Sequence, residues 1–322
     1  MVWPVIPILR ALGQSSTEVV LRKPGQRFLS APIEIAPFAK EHWEFAWLSD
    51  AAYLQTAAGQ KHIEKKSNMA GQAIVDVAPD PLPPLAAAGW RRWEGFPDEE
   101  LLKQIKNTHL RVQVWERDEP PAIAVTFGGT VFNNNADWWA NFRWFFPWHR
   151  DEYTDVVQTF APAFDLELKR RAQGMDAARL AKLELYSTGH SLGGGLAQQF
   201  AYSVPLDCVK RVKQVYAFDP SPVTGFFSVM RHLRTENKKG LLIDRIYERG
   251  EILALLRSLT SLFYKPSTVN AAIRGVRYNV FRAWNPIAAH SIAELAAKID
   301  VARYATGCAN ARSVEGESES RL

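Results

Sequence analysis

Five residues carry the clearest chemical signal in the chain: Gly189-His190-Ser191-Leu192-Gly193, followed at once by Gly194 and Gly195. A serine with glycines two places either side suits a sharp strand-to-helix turn. The missing side chains let the backbone cross closely and hold the serine in a strained conformation. The segment before it, "LELYST" (183–188), reads as a strand, and "LAQQFAYSV" after it reads as a helix. In that context Ser191 is a candidate nucleophile, and the helix it opens directs N–H groups toward charge developing on a substrate. The chemistry would be acyl transfer. A tight glycine turn without chemistry is the competing explanation, and the strand–helix context weighs against it.

A serine hydroxyl is a poor nucleophile until a base takes its proton. Only His232 and His290 follow Ser191, where the chain order serine, acid, histidine places the base. His290 comes after the strand-like "VRYNVFRAW" and a short loop, directly before the last helical pattern, and is the candidate base. His232 lies in the charged stretch "MRHLRTENKKG", expected to be a solvated loop. His190 is expected to point away from Ser191 and to play a structural or supporting part. The acid should end a strand between nucleophile and base. Asp219 ends "VYAF" and precedes Pro220; Glu251 follows "RIYE" and the turn Arg249-Gly250. Either can instead be a turn or capping residue. Glu248 ranks third, as a strand-end surface or pairing residue. One oxyanion donor in such sites is the amide after the nucleophile, here Leu192.

The elements that must position these residues alternate. A helical pattern covers "FAKEHWEFAWLSDAAYLQ" (38–55), and the Pro-rich "PDPLPPLAAAG" (79–89) is the best internal connection. "HLRVQVWE", the turn "RDEPP" and "AIAVTF" form a hairpin signature. Residues 151–174 read as a helix. After the nucleophile helix come strand "QVYAFD", strand "IDRIYE", helix "ILALLRSLTSLFY", strand "VRYNVFRAW" and helix "SIAELAAKIDVARYA". Strands alternating with helices imply an α/β fold with a mostly parallel, helix-covered sheet. Residues 1–36 read as an N-terminal arm, 37–308 as the α/β domain and 309–322 as a polar tail expected to fray.

Composition sets the remaining bounds. A net charge of +5 over 322 residues is ordinary for a soluble protein and only mildly favours an anionic lipid surface. Nothing suggests nucleic acid as a partner. No apolar run reaches the ~18 residues of a membrane span. The start, "MVWPVIPILRALGQSS", lacks a basic n-region and a small-residue cleavage site, so it is a poor signal peptide. That reading leaves the cytoplasm or secretion by another route. Cys208 and Cys308 have no metal-ligand spacing and are expected as free thiols, so neither a metal nor an organic cofactor is implied. From 131 to 149, Trp138, Trp139, Phe142 and further large aromatics follow an Asn run. Such a stretch suits a lid or mouth that meets lipid, or an aromatic subdomain packed inward, since Trp138 and Phe142 stand at i, i+4.

With these segments in hand, the chain resembles the class 3 (fungal-type, Rhizomucor-like) lipase family of the α/β-hydrolase superfamily. "TGHSLGGGLA" resembles its nucleophile motif, and "AVTFGGT" its oxyanion strand, with Gly128 where the family often has arginine. "DWWANF" resembles its lid segment, "WLSDAAYL" its N-terminal helix, and "QVYAFDPSPVTG" its strand and Ser-Pro turn; together the matches span roughly 43–295. The resemblance implies Ser191 as nucleophile, His290 as base, Thr130 as second oxyanion donor and Trp138, Trp139 and Phe142 as lid residues. It puts the family's aspartate on Glu251, a departure that glutamate can serve by orienting the imidazole with one more methylene. Asp219 falls where the family has a small residue. The activity implied is hydrolysis of an acylglycerol or another lipophilic ester, with transient contact at a lipid interface. A membrane-degrading phospholipase, or a non-catalytic protein of the same fold, are the alternatives.

Overall fold

The computed structural model describes residues 13–26, 28–56, 60–61, 63–67, 73–77, 81–105, 110–129, 150–221, 224–250, 271–281 and 290–305. The strands are β1 (Glu18–Arg22), β2 (Ile33–Glu34), β3 (Gln55–Thr56), β4 (Gln60–Lys61), β5 (Ile63–Ser67), β6 (Ala73–Val77), β7 (Arg91–Arg92), β8 (Arg111–Arg117), β9 (Ala122–Gly128), β10 (Glu184–His190), β11 (Val212–Phe218), β12 (Leu242–Glu248) and β13 (Ala272–Tyr278). The helices are α1 (Ala36–Leu54), α2 (Pro83–Ala87), α3 (Glu99–Ile105), α4 (Arg150–Asp155), α5 (Ala161–Ala172), α6 (Ala177–Lys182), α7 (Leu192–Ser203), α8 (Arg231–Asn237) and α9 (Ile292–Ala302). A stretch of π geometry, Val156–Phe160, joins α4 to α5, where the sequence reads as one continuous helix.

Nine strands form one sheet in the order β2-β1-β13-β12-β11-β10-β9-β8-β7. The run from β9 to β13 is parallel, while β8, β7, β1 and β2 extend it antiparallel at the two sides. Parallel strands need crossovers, and among the described residues helices supply those from β9 to β10, from β10 to β11 and from β11 to β12. The fold is therefore α/β, a mostly parallel sheet covered on both faces.

β9 shows why the sheet is covered twice. All seven of its residues are buried. Ile123, Val125 and Phe127 point into a core closed by Phe160 and Phe164 of the α4–α5 region and Phe200 of α7. Ala122 and Ala124 alternate into a second core with Phe45 and Leu48 of α1 and Leu295 and Ile299 of α9. The period of two splits one continuous apolar run between two cores.

Two segments differ from their sequence expectation. The stretch expected as an N-terminal arm contributes β1, which pairs with β13 from Val20 opposite Arg277 to Arg22 opposite Gly275, and the short β2 beyond it. The Pro-rich connection holds α2, whose Leu85 is fully buried in the second core, so it is packed structure there and no loose linker. Cys208 is a buried free thiol; Cys308 and the residues from 309 on lie outside the described residues. Among the described residues, no helix is long and apolar enough to cross a membrane.

Candidate active site

The sequence places Ser191 between β10 and α7, and the backbone there is strained. Its φ is 57° and its ψ −122°, a combination that L-residues rarely adopt. Such a residue costs roughly 1–3 kcal/mol and persists only when its surroundings over-determine it. Three backbone bonds do so: the Ser191 amide donates to Phe218 O at 2.9 Å, and its carbonyl accepts from Gly194 at 3.1 Å and Ser221 at 3.0 Å. Glycine is required on both sides. A Cβ on Gly193 would run into the Phe127 carbonyl of β9, and one on Gly189 into the Gly193 carbonyl. The Leu192 amide lies in the first turn of α7, where helix amides have no intrahelical acceptor.

One strand over, Asp219 follows β11 and also has a positive φ, 40°. It is fully buried; its amide donates to Ile246 O at 2.7 Å and its Oδ1 accepts from the Glu248 amide at 3.2 Å. His290 sits just before α9, whose N-cap Ser291 accepts from the Glu294 amide, and it is 7% exposed. His190 completes the group. Its ring lies 4.5 Å from that of His290, centroid to centroid, and its Nε2 is 3.9 Å from Asp219 Oδ2. One atom from each of His190, Asp219 and His290 lies within 4.8 Å of the others.

The structure thus gathers His190, Asp219 and His290 from three separate elements, beside the elbow that carries Ser191. His190 turns toward the acid and the other imidazole. Its other nitrogen, Nδ1, is 2.9 Å from the hydroxyl of Tyr53 at the end of α1. Sequence reasoning does not single out Tyr53. Its segment reads only as helix, and nothing local signals a partner 137 positions away.

Thr130, Glu251, Trp138, Trp139 and Phe142 lie outside the described residues. Glu248 needs a correction: it is no surface residue but fully buried, its Oε2 and Oε1 accepting the amides of Val280 at 3.1 Å and Phe281 at 3.2 Å. Burial pushes its pKa up to about 7, against the lowering effect of those amides and that of Arg249. His232 is exposed, but on helix α8 and not on a loop.

Two imidazoles and a carboxylate are also the donor types of a three-ligand zinc site. The elbow serine beside them offers the alternative use, in which an imidazole and the carboxylate serve as base and acid. A second cluster, Glu41, His42 and Asp244, brings similar groups together. There the guanidinium of Arg274 bonds both carboxylates, so a protein cation already balances the charge.

Neither a family model nor a curated protein matches the sequence. Solved structures do. The native Rhizomucor miehei lipase propeptide complex is similar at 14% identity over 74% of this chain and 67% of that one, with a TM-score of 0.41. The Lip2 lipase of Yarrowia lipolytica is similar at 14% identity over 74% and 78%, with a TM-score of 0.41. The lipase of Rhizopus microsporus var. chinensis is similar at 15% identity over 67% and 68%, with a TM-score of 0.35. At such identities and scores, the chemistry has to be read from the residues of this chain itself.

Proposed function

We propose that the chain is a serine ester hydrolase acting on lipophilic esters through an acyl-enzyme. The observation that carries this reading is the strained Ser191, held at a strand–helix elbow beside a buried carboxylate and imidazole pair. Ser191 Oγ attacks the ester carbonyl while His290 takes its proton. The tetrahedral intermediate collapses as His290 gives that proton to the leaving alkoxide, which departs as the alcohol. Water, activated by the same imidazole, then releases the acid and restores Ser191. The Leu192 amide and Thr130 hold the oxyanion.

Two carboxylates compete for the acid in the sequence. Among the described residues, the Asp219 carboxylate lies beside the imidazoles, and we assign the acid to it rather than to Glu251. Its task is to orient His290 and to balance the cation that forms during the reaction.

The lipophilic substrate rests on the aromatic stretch around Trp138, Trp139 and Phe142, which we assign to a lid. Hydrolysis should then accelerate as an ester passes its solubility limit. A rate that saturates smoothly through that limit, and is unchanged in Trp138→Ala and Trp139→Ala, counts against the lid. The chemistry itself is tested with a soluble p-nitrophenyl ester. The wild-type protein turns it over and Ser191→Ala does not; equal turnover by the two proteins ends the proposal.

A further inference from the structure

We propose that Tyr53 is a positioning residue for this reaction, its one hydroxyl holding the oxyanion strand, the nucleophile elbow and the acid in register. The inference rests on the ester-hydrolase reading above. The phenol oxygen of Tyr53 lies 2.9 Å from His190 Nδ1 and 3.2 Å from the His190 carbonyl, and it accepts the amide of Gly129. Gly129 immediately precedes Thr130, the assigned oxyanion donor, and His190 immediately precedes Ser191. The two rings meet edge to face at 5.7 Å. So a single side chain from α1 bridges the ends of β9 and β10, the two strands that deliver the oxyanion donor and the nucleophile.

The proton inventory gives the bridge a direction. A phenol has one proton to donate, and burial holds the Tyr53 pKa far above the ordinary tyrosine value, so that proton stays in place. That proton is donated to the His190 carbonyl at 3.2 Å, and His190 Nδ1 lies within hydrogen-bond distance of the same oxygen at 2.9 Å. The ring is thereby held so that its other nitrogen, Nε2, faces Asp219 Oδ2 at 3.9 Å. The same ring packs against His290. Fixing the ring plane of His190 therefore holds Nε2 toward the acid and limits the tilt of the base, while the Gly129 contact sets the oxyanion strand against the elbow.

Two substitutions break the bridge from opposite sides. Tyr53→Phe removes the hydroxyl. Gly129→Ala keeps it but drives a methyl group into it, since a Cβ there collides with the Tyr53 hydroxyl and meets Tyr53 Cζ at 3.4 Å and the His190 carbonyl at 3.0 Å. Turnover of a soluble p-nitrophenyl ester is measured for both variants and for the double variant. Rates are counted per Ser191 labelled by a fluorophosphonate, so that misfolded protein does not enter. Affinity for an alkyl boronic acid, which mimics the tetrahedral intermediate, is measured in parallel. In each single variant kcat should fall by ~10²-fold, the scale expected when a displaced support misplaces reacting groups, with KM near the wild-type value. Boronate affinity should fall in step with kcat. The double variant should cost no more than Gly129→Ala alone, because loss of the phenol oxygen leaves room for the methyl group. Wild-type kcat and boronate affinity in labelled Tyr53→Phe overturn the inference and leave the hydrolase reading standing. If Tyr53→Phe yields no folded protein, wild-type kinetics in Gly129→Ala overturn it instead. Absence of turnover by the wild-type protein overturns both.

Discussion

Asp219 Oδ2 faces His190 Nε2 at 3.9 Å, while the other carboxylate oxygen, Oδ1, is fixed by the Glu248 amide at 3.2 Å. The aspartate is thus anchored on one oxygen and presented to the imidazoles on the other. It emerges from β11, the strand that pairs with β10 up to His190 opposite Phe218. Adjacent parallel strands end level with each other, which is why the residues that follow them, Ser191 and Asp219, come to one edge of the sheet.

That placement predicts which carboxylate matters. Asp219→Asn should lower kcat by ~10⁴-fold, the cost of favouring the wrong imidazole tautomer in a related triad, and Glu251→Gln should cost far less. His290→Ala should be about as inactive as Ser191→Ala, because the members of such a unit are not additive. Assayed together on one soluble ester, an active Asp219→Asn beside an inactive Glu251→Gln moves the acid to the later strand.

Glu248 makes stability depend on pH. Its folded pKa of about 7 lies above the usual glutamate value, so the folded state holds a proton that the unfolded chain releases earlier. The stabilisation is complete at low pH, below the unfolded value. It is lost as pH rises through the folded pKa, and amounts to about 3 kcal/mol at most. Urea unfolding from pH 5 to pH 8 should show the wild-type midpoint declining, and Glu248→Gln should lose that slope. A slope identical in both proteins assigns the pH dependence elsewhere.

The buried network around Asp244 should be the costliest to break away from the site. Desolvation alone would raise the Asp244 pKa, but hydrogen bonds from His42 and Arg274 more than offset it and hold the carboxyl below its usual range. Asp244→Asn removes the charge that pairs with Arg274 and leaves one acceptor oxygen where the carboxylate has two, one facing Arg274 Nε and the other His42 and Gln214. Breaking a buried pair from one side typically costs about 3–5 kcal/mol. Thermal unfolding reads the loss directly, whereas kcat per folded molecule should hold. A midpoint within error of wild type contradicts the argument.

Much of this is legible from local residue types. The glycine spacing around Ser191, the alternation of β8, the apolar run of β9 and the helical pattern of α1 all report on neighbours a few positions away. What escapes depends on distant partners. β1 has no telling period and becomes a strand only because β13, at the far end of the chain, offers an edge. Helix α8 reads as a charged loop because almost nothing in it is apolar. It is tied down by Asn237, whose side-chain amide donates to the carbonyls of Tyr202 and Val204. The strand pattern of β13 continues in sequence to Trp284, yet the strand ends at Tyr278. The amides of Val280 and Phe281 bind the Glu248 carboxylate instead of a strand. A buried glutamate that terminates a strand runs against the usual exposure of its type, so its sequence position carries no sign of it.

The central claim, that Ser191 is an activated nucleophile, is tested most directly by intact and peptide mass spectrometry after exposure to an alkyl fluorophosphonate. The reagent phosphonylates only a serine whose proton is taken by a base, with loss of fluoride. A single adduct should form on the wild-type protein and map to Ser191, and it should be absent from Ser191→Ala and strongly slowed in His290→Ala. A folded wild-type protein that takes up no adduct, or carries it on another residue, would contradict the account.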